Sequence, residues 1–192
     1  FIDRTRIAPR RETKNGMKRL FVGIGVGESL GEQILQWDRG LVKSIPARWI
    51  APRNVHITLI PPWYGESVED VIGLIRDIRD IPSFEICFTK IRFGPNPRDP
   101  RLVWAEGRAP GELIHLKSAL EKRLKTPAER RSFHLHITLA RFHAEQFSEF
   151  AIQRLNEQVQ WRMNVSFFTL YESHLTPAGA EYEVLAQIPL EE

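Results

Sequence analysis

The tetrapeptide HITL occurs twice, at 56–59 and at 136–139, 80 positions apart. The chain has six histidines in 192 residues, and two of them open these repeats. On an extended strand, side chains i and i+2 share a face. His56 and Thr58 therefore point one way while Ile57 and Leu59 point the other, and His136, Thr138, Ile137 and Leu139 divide in the same manner. The apolar pair anchors a strand in a core, leaving the polar pair to face a cleft or solvent. Packing alone would keep isoleucine and leucine; it gives no reason for histidine and threonine to recur with them.

Two such strands about a pseudo-twofold bring two imidazoles and two hydroxyls to one cleft, a set suited to phosphoester chemistry. Opening a phosphodiester needs one group to take a proton from the attacking oxygen and another to give one to the leaving oxygen. Histidine, with an ordinary pKa of about 6.5, does either near neutrality. Positioned acids and bases contribute roughly 10²–10⁴-fold each. The hydroxyls of Thr58 and Thr138 can donate hydrogen bonds to the non-bridging oxygens, where negative charge builds. Arg141, close behind His136, adds a fixed charge with planar, bidentate geometry. The scheme calls for no metal and no other cofactor. His134 and His143 flank the second motif, but no Cys/His/Asp set with zinc spacing surrounds them. His134 shares a face with His136 and is expected beside the site.

The elements that must carry these residues follow from periodicity. Residues 19–26 alternate as a strand, and Leu30, Ile34, Trp37 and Leu41 recur at helical spacing over 27–45. A strand around 54–60, a helix over 67–80 stopped before Pro82, and a strand over 83–93 complete a first half. The turn-rich GPNPRDP (94–100) closes it. A second half repeats the order: a strand over 101–108, an amphipathic helix over 109–124, a strand over 134–141, a helix over 145–159 and a strand over 161–175. HITL occupies the same slot in both halves. A last strand, 181–190, follows the TPAGA turn (176–180). The expected fold is α+β, with two pseudo-symmetric lobes. Each lobe is a mostly antiparallel sheet packed with helices, and the active-site cleft lies between them.

Composition sets the surroundings. Hydrophobic residues make up 42% and charged residues 27%, the balance of a water-soluble domain. No apolar run approaches the roughly 20 residues of a membrane helix. The net charge of +3 belongs to residues 1–16, which hold five basic and two acidic residues. That segment lacks the apolar stretch of a signal peptide and reads as a basic tail, either non-native or disordered. Residues 17–192 read as a single bilobal domain. The one cysteine, Cys87, favours a reducing, cytoplasmic setting and is expected to be core filler.

The paired H-x-T-x motifs resemble those of the 2H phosphoesterase superfamily. Within it, KRLFVGI, ARWIAPRNVHITLIPPWYG, FHLHITLAR and LYESHLTPAGAEYEVLAQIPL are similar to the RNA 2′,3′-cyclic phosphodiesterases, also called 2′-5′ RNA ligases. The likeness runs from about Met17 to Leu190. It implies metal-independent hydrolysis of 2′,3′-cyclic phosphate ends of RNA to 2′-phosphomonoesters, with 2′-5′ ligation as the reverse reaction. His56 would then be the proton donor to the 3′ oxygen and His136 the acceptor that activates water. Where family members often carry KFLG after the first motif, this chain has IPPWYG. Pro61 and Pro62 impose an extended path that brings Trp63 and Tyr64 near the cleft mouth, to stack on a base or to cap the packing. The expected partners are RNA ends or nucleotides carrying a 2′,3′-cyclic phosphate, with no membrane, bound by a monomer. A non-catalytic nucleotide- or RNA-binding module, or a phosphodiesterase of a small cyclic-phosphate metabolite, would use the same cleft. Two complete motifs favour catalysis, because binding alone does not require two titratable groups.

Overall fold

The structure, a computed structural model, describes residues 16–191 apart from 39, 42, 43, 128–131 and 178. The basic tail, except for Gly16, and residue 178 of the TPAGA turn thus lie outside the described residues. Nine strands and three α-helices follow one another as β1 (Lys18–Gly25), α1 (Glu28–Asp38), β2 (Arg48–Trp49), β3 (His56–Gly65), α2 (Val68–Ile75), β4 (Phe84–Asn96), β5 (Asp99–Gly107), α3 (Gly111–Leu124), β6 (His136–Arg141), β7 (Asn156–Val165), β8 (Phe167–Thr176) and β9 (Gly179–Pro189) among the described residues. They form a four-stranded sheet ordered β3-β1-β8-β9 and a five-stranded sheet ordered β2-β6-β5-β4-β7. Every ladder between these strands is antiparallel.

The α+β fold with two antiparallel sheets is as expected, but the sheets are not the two halves of the sequence. β4 closes the first half yet pairs with β5 of the second, and β8 of the second half pairs with β1 of the first. Helices are exchanged as well: α1 packs on β7, and α3 packs on β3 and α2. The lobes are therefore interleaved, and one continuous apolar cluster joins them.

The expected helix over 145–159 does not form. Residues Ala144–Glu149 make a short 3₁₀ turn, and from Asn156 the chain is a strand. Phe147 and Phe150 from the turn pack edge-on against Phe93, Phe142 and each other, a cluster that the i, i+3 spacing of a 3₁₀ turn permits. Beyond it, Glu157, Val159, Trp161, Met163 and Val165 alternate inward, and this period of two prevails over the helical reading. The single strand over 161–175 is in fact two, β7 and β8, divided at Ser166 and assigned to different sheets. Other departures are smaller. α2 ends at Ile75, with the Ser67 hydroxyl accepting a hydrogen bond from the Asp70 amide at its start, a regular N-cap. β4 and β5 extend through the turn-rich segment as a long hairpin. Cys87 is half-buried, on the opposite face of β4 from Ile86 and Phe88, and so is not core filler.

Burial along the two motif strands follows one pattern. In β3 and β6 alike, His and Thr are partly buried, and the next residues inward, Ile57, Leu59 and Ile60 or Ile137, Leu139 and Ala140, are fully buried before an exposed residue ends the run. Ile57, Leu59, Ile137 and Leu139 are each at most 1% exposed. Each such burial stabilises the fold by roughly 1.5–3 kcal/mol and fixes the register that turns the His-x-Thr face outward.

Candidate functional site

β3 and β6 adjoin where the two sheets meet. On β3, His56 lies opposite Gly25 and Thr58 opposite Gly23; on β6, His136 lies opposite Glu106 and Thr138 opposite Trp104. Each imidazole is held in the same way. The Nδ1 of His56 is 2.8 Å from the carbonyl of Asn54, and the Nδ1 of His136 is 2.8 Å from the carbonyl of His134. A carbonyl can only accept, so in both rings Nδ1–H donates and the neutral ring keeps its lone pair on Nε2. Thr58 and Thr138 are partly buried, and neither hydroxyl makes a hydrogen bond among the described residues.

The surroundings of the two imidazoles differ. Tyr182 meets His56 edge-on at 5.0 Å, Phe21 lies 4.9 Å from it, and Tyr171 stacks behind Phe21. His136 lies 4.6 Å from the ring of Trp104. Beside it Glu106 bridges Arg92 and His134, with both contacts at 2.8 Å, while Arg92 stacks over the Trp104 ring. His134 thus takes the neighbouring position expected of it, bonded to Glu106 and lending its carbonyl to His136.

Burial pushes His56 below the ordinary imidazole range. The Asn54 carbonyl works against this, while the charges of Arg141 and His136 add to it. His136 is also lowered, first by burial; the His134 carbonyl and Glu106 oppose the shift, and the charges of His134 and Arg141 reinforce it. Burial alone would raise the Glu106 carboxyl, but hydrogen bonds from Arg92 and His134 outweigh it and hold the group below its usual range.

A cavity of about 450 Å³ opens at this junction, lined by Arg19, Phe21, Arg48, His56, Thr58, Pro62, Arg141 and Tyr182 among others. It brings together three of the residues singled out by sequence: His56, Thr58 and Arg141. His136 and Thr138 lie outside its lining, on the part of β6 adjoining β3, and Arg141 links the two sides because its charge reaches both imidazoles. Tyr64 stands apart. It is 58% exposed, opposite Arg19 on the β1–β3 ladder, and outside the cavity lining. Trp63 packs against the core.

Sequence reading missed Arg19, Arg48, Phe21, Trp104, Glu106 and Tyr182. Phe21 and Tyr182 fall on strands that were recognised, but which face they present depends on the β1–β8–β9 pairing. Arg48 precedes the first motif in ARWIAPRN and gains its place only through the short β2–β6 ladder, where it lies opposite Arg141.

A second set of possible ligands lies elsewhere. Glu172, His174 and Glu183 offer atoms within 4.8 Å of one another. They occupy the other face of the first sheet from Phe21 and Tyr182, and Lys18 is ion-paired to Glu172 at 2.7 Å.

Two interleaved sheets, each carrying one His-x-Thr strand and adjoining at those strands, fit a 2H phosphoesterase. The chain belongs to the 2′-5′ RNA ligase superfamily, whose sequence pattern matches residues 33–177. It is 30% identical over 174 residues to an RNA 2′,3′-cyclic phosphodiesterase of Archaeoglobus fulgidus, covering 87% of this chain and 97% of that protein. It is 27% identical over 186 residues to the protein of the same name from Thermotoga maritima, covering 90% and 96% respectively. The crystal structure of Escherichia coli LigT complexed with 3′-AMP superposes with a TM-score of 0.73 at 29% identity, over 92% of this chain and 99% of that one.

Proposed function

We propose that the protein hydrolyses 2′,3′-cyclic phosphate ends of RNA to 2′-phosphomonoesters, with His56 and His136 as its acid–base pair. The observation that carries this reading is the matched pinning of the two imidazoles, each through Nδ1 to a carbonyl two residues upstream, which leaves both Nε2 atoms for proton transfer. Membership of the superfamily and the names of the relatives support the reaction class.

In this scheme His136 Nε2 takes a proton from water as the water oxygen bonds to phosphorus. The bond from phosphorus to O3′ breaks, and His56 Nε2 gives its proton to O3′. One water is consumed, and the product carries a free 3′ hydroxyl and a 2′ phosphate. The assignment of donor and acceptor follows the family pattern at these two positions. The Thr58 and Thr138 hydroxyls donate to the non-bridging oxygens, and Arg141 balances their charge. An anionic substrate between the rings offsets the burial and the neighbouring cations that disfavour the charged imidazoles.

The test is turnover of 2′,3′-cyclic AMP in the presence of EDTA. The wild type should hydrolyse it, and His56→Ala and His136→Ala should each lose roughly 10²–10⁴-fold. Binding without turnover by the wild type would identify a binding module and overturn the proposal. Turnover abolished by EDTA and restored by a divalent ion would overturn the metal-independent scheme.

A further inference from the structure

The cavity at His56 does not end there. A second cavity of about 210 Å³ continues from it, sharing Arg48, Arg141 and Tyr182 and adding Trp49, Arg53 and Asn54 from β2 and the turn that leads into β3. Arg48 and Arg141 lie opposite each other on adjacent antiparallel strands, and the charge of Arg48 is felt at Arg141. Like charges brought this close repel. Several arginines elsewhere have partners, among them Arg92 with Glu106, Arg162 with Glu85 and Arg19 with the Ser173 hydroxyl, while Arg98, Arg101, Arg108 and Arg154 have none among the described residues but line neither cavity. Arg48, Arg53 and Arg141 make no side-chain hydrogen bond or ion pair among the described residues. Glu181 also lines the second cavity but forms no ion pair within 4.0 Å with any of the three. Gly179, at φ +133°, brings the β8–β9 hairpin against Arg48, where a Cβ would stand 3.4 Å from its Nη1. Pro62 and the exposed Leu175 line the first cavity but not the second, and Tyr64 lines neither.

Three guanidiniums without counter-charges on one wall are more than one reacting phosphoryl group requires. Resting on the proposed function, we propose that Arg48 and Arg53 form a second anion subsite, which holds the phosphate ester on the 5′ oxygen of the terminal nucleoside. The preferred substrate is then a cyclic-phosphate end that carries this upstream phosphate, and the RNA strand leaves the cleft over β2 rather than past Tyr64. Arg141 stays with the reacting phosphoryl group, while the flexible side chains of Arg48 and Arg53 give the charge-assisted contacts that position a nucleic-acid backbone.

The experiment compares kcat/KM for three substrates: a 2′,3′-cyclic mononucleotide, its 5′-phosphorylated form, and a dinucleotide ending in the same cyclic phosphate. Both substrates with a 5′ phosphate ester should exceed the bare mononucleotide by about tenfold or more. A gain with the dinucleotide alone would assign the preference to the upstream nucleoside and overturn the anion subsite. Arg53→Gln should remove most of the gain, whereas Tyr64→Ala should leave it. The salt dependence should agree: for the dinucleotide, the slope of log kcat/KM against log salt should be steeper by roughly 0.7, and Arg53→Gln should flatten it. Equal rates on all three substrates, or a gain that survives in both Arg53→Gln and Arg48→Gln, would overturn the subsite while leaving the proposed activity intact. No turnover of any substrate by the wild type would sink both. Measurable turnover of the bare mononucleotide by the Arg53→Gln variant serves as the control for folding.

Discussion

His56 and His136 occupy equivalent strand positions, yet their neighbours make them unequal. His56 sits among Phe21, Tyr171 and Tyr182, while His136 sits beside Trp104 and the Glu106–His134 pair. Both pKa values lie below the ordinary imidazole value of 6.5, and the sign of the pH dependence follows. The base must be neutral, a requirement met above its pKa; the acid must be protonated, a requirement met below its own. With both groups lowered, kcat/KM should peak below about pH 6.5 and already be falling at pH 7, since this parameter reports the free enzyme. The profile of kcat should move upward, because bound phosphate favours both charged rings. A kcat/KM that rises between pH 7 and pH 8 would contradict the burial argument. The threonines give a separate test. If their hydroxyls hold the phosphoryl oxygens, Thr58→Val and Thr138→Val should each lower kcat by about 10²–10³-fold, with melting temperatures near the wild type; unchanged kcat in both variants would remove them from the scheme.

At the scale of elements, the site depends on how closely β1 lies against β3. Gly23 is opposite Thr58, and a Cβ at this position would come within 2.7 Å of the Ile57 carbonyl oxygen. Gly23→Ala must therefore displace the strand that carries His56 and Thr58. A misplacement of about 1 Å can cost on the order of 10²-fold in rate, so kcat should drop by one to two orders of magnitude. Gly27→Ala, where a Cβ would meet nothing within 4 Å, should leave it unchanged, and equal kcat in the two variants would show that the strand spacing is not critical. Elements were legible in the sequence where one period dominated. The alternation of HITL predicted which residues face the core in β3 and β6, and α3 declared itself through Leu113, Leu116 and Leu120. Residues 145–159 misled because charged and apolar residues there fit a helical spacing as well as a strand. The strand starts already at Asn156 because Asn156, Glu157 and Gln158 have β4 to pair with, and no local signal carries that information.

For the molecule as a whole, the doubled motif correctly indicated two antiparallel sheets but concealed their interleaving. Exchange of β4 and β8, and of the packing of α1 and α3, ties each lobe to the other half of the chain. Such exchange depends on long-range pairing, which local periodicity cannot express. The same limit applies at the cleft. Of the residues that line the cavity, His56, Thr58 and Arg141 could be picked out because they belong to or adjoin the repeat. Arg48, Phe21 and Tyr182 could not, since each reaches the cleft through a neighbouring strand. The proposed action of both motifs on one phosphoryl group should give a single regiochemical outcome. The most direct measurement is the identity of the product formed from a 2′,3′-cyclic nucleotide by the wild-type protein in EDTA, read by phosphorus NMR against authentic 2′- and 3′-monophosphates. The account predicts conversion to the 2′-monophosphate alone; an intact cyclic phosphate, or a 3′-monophosphate product, would contradict it.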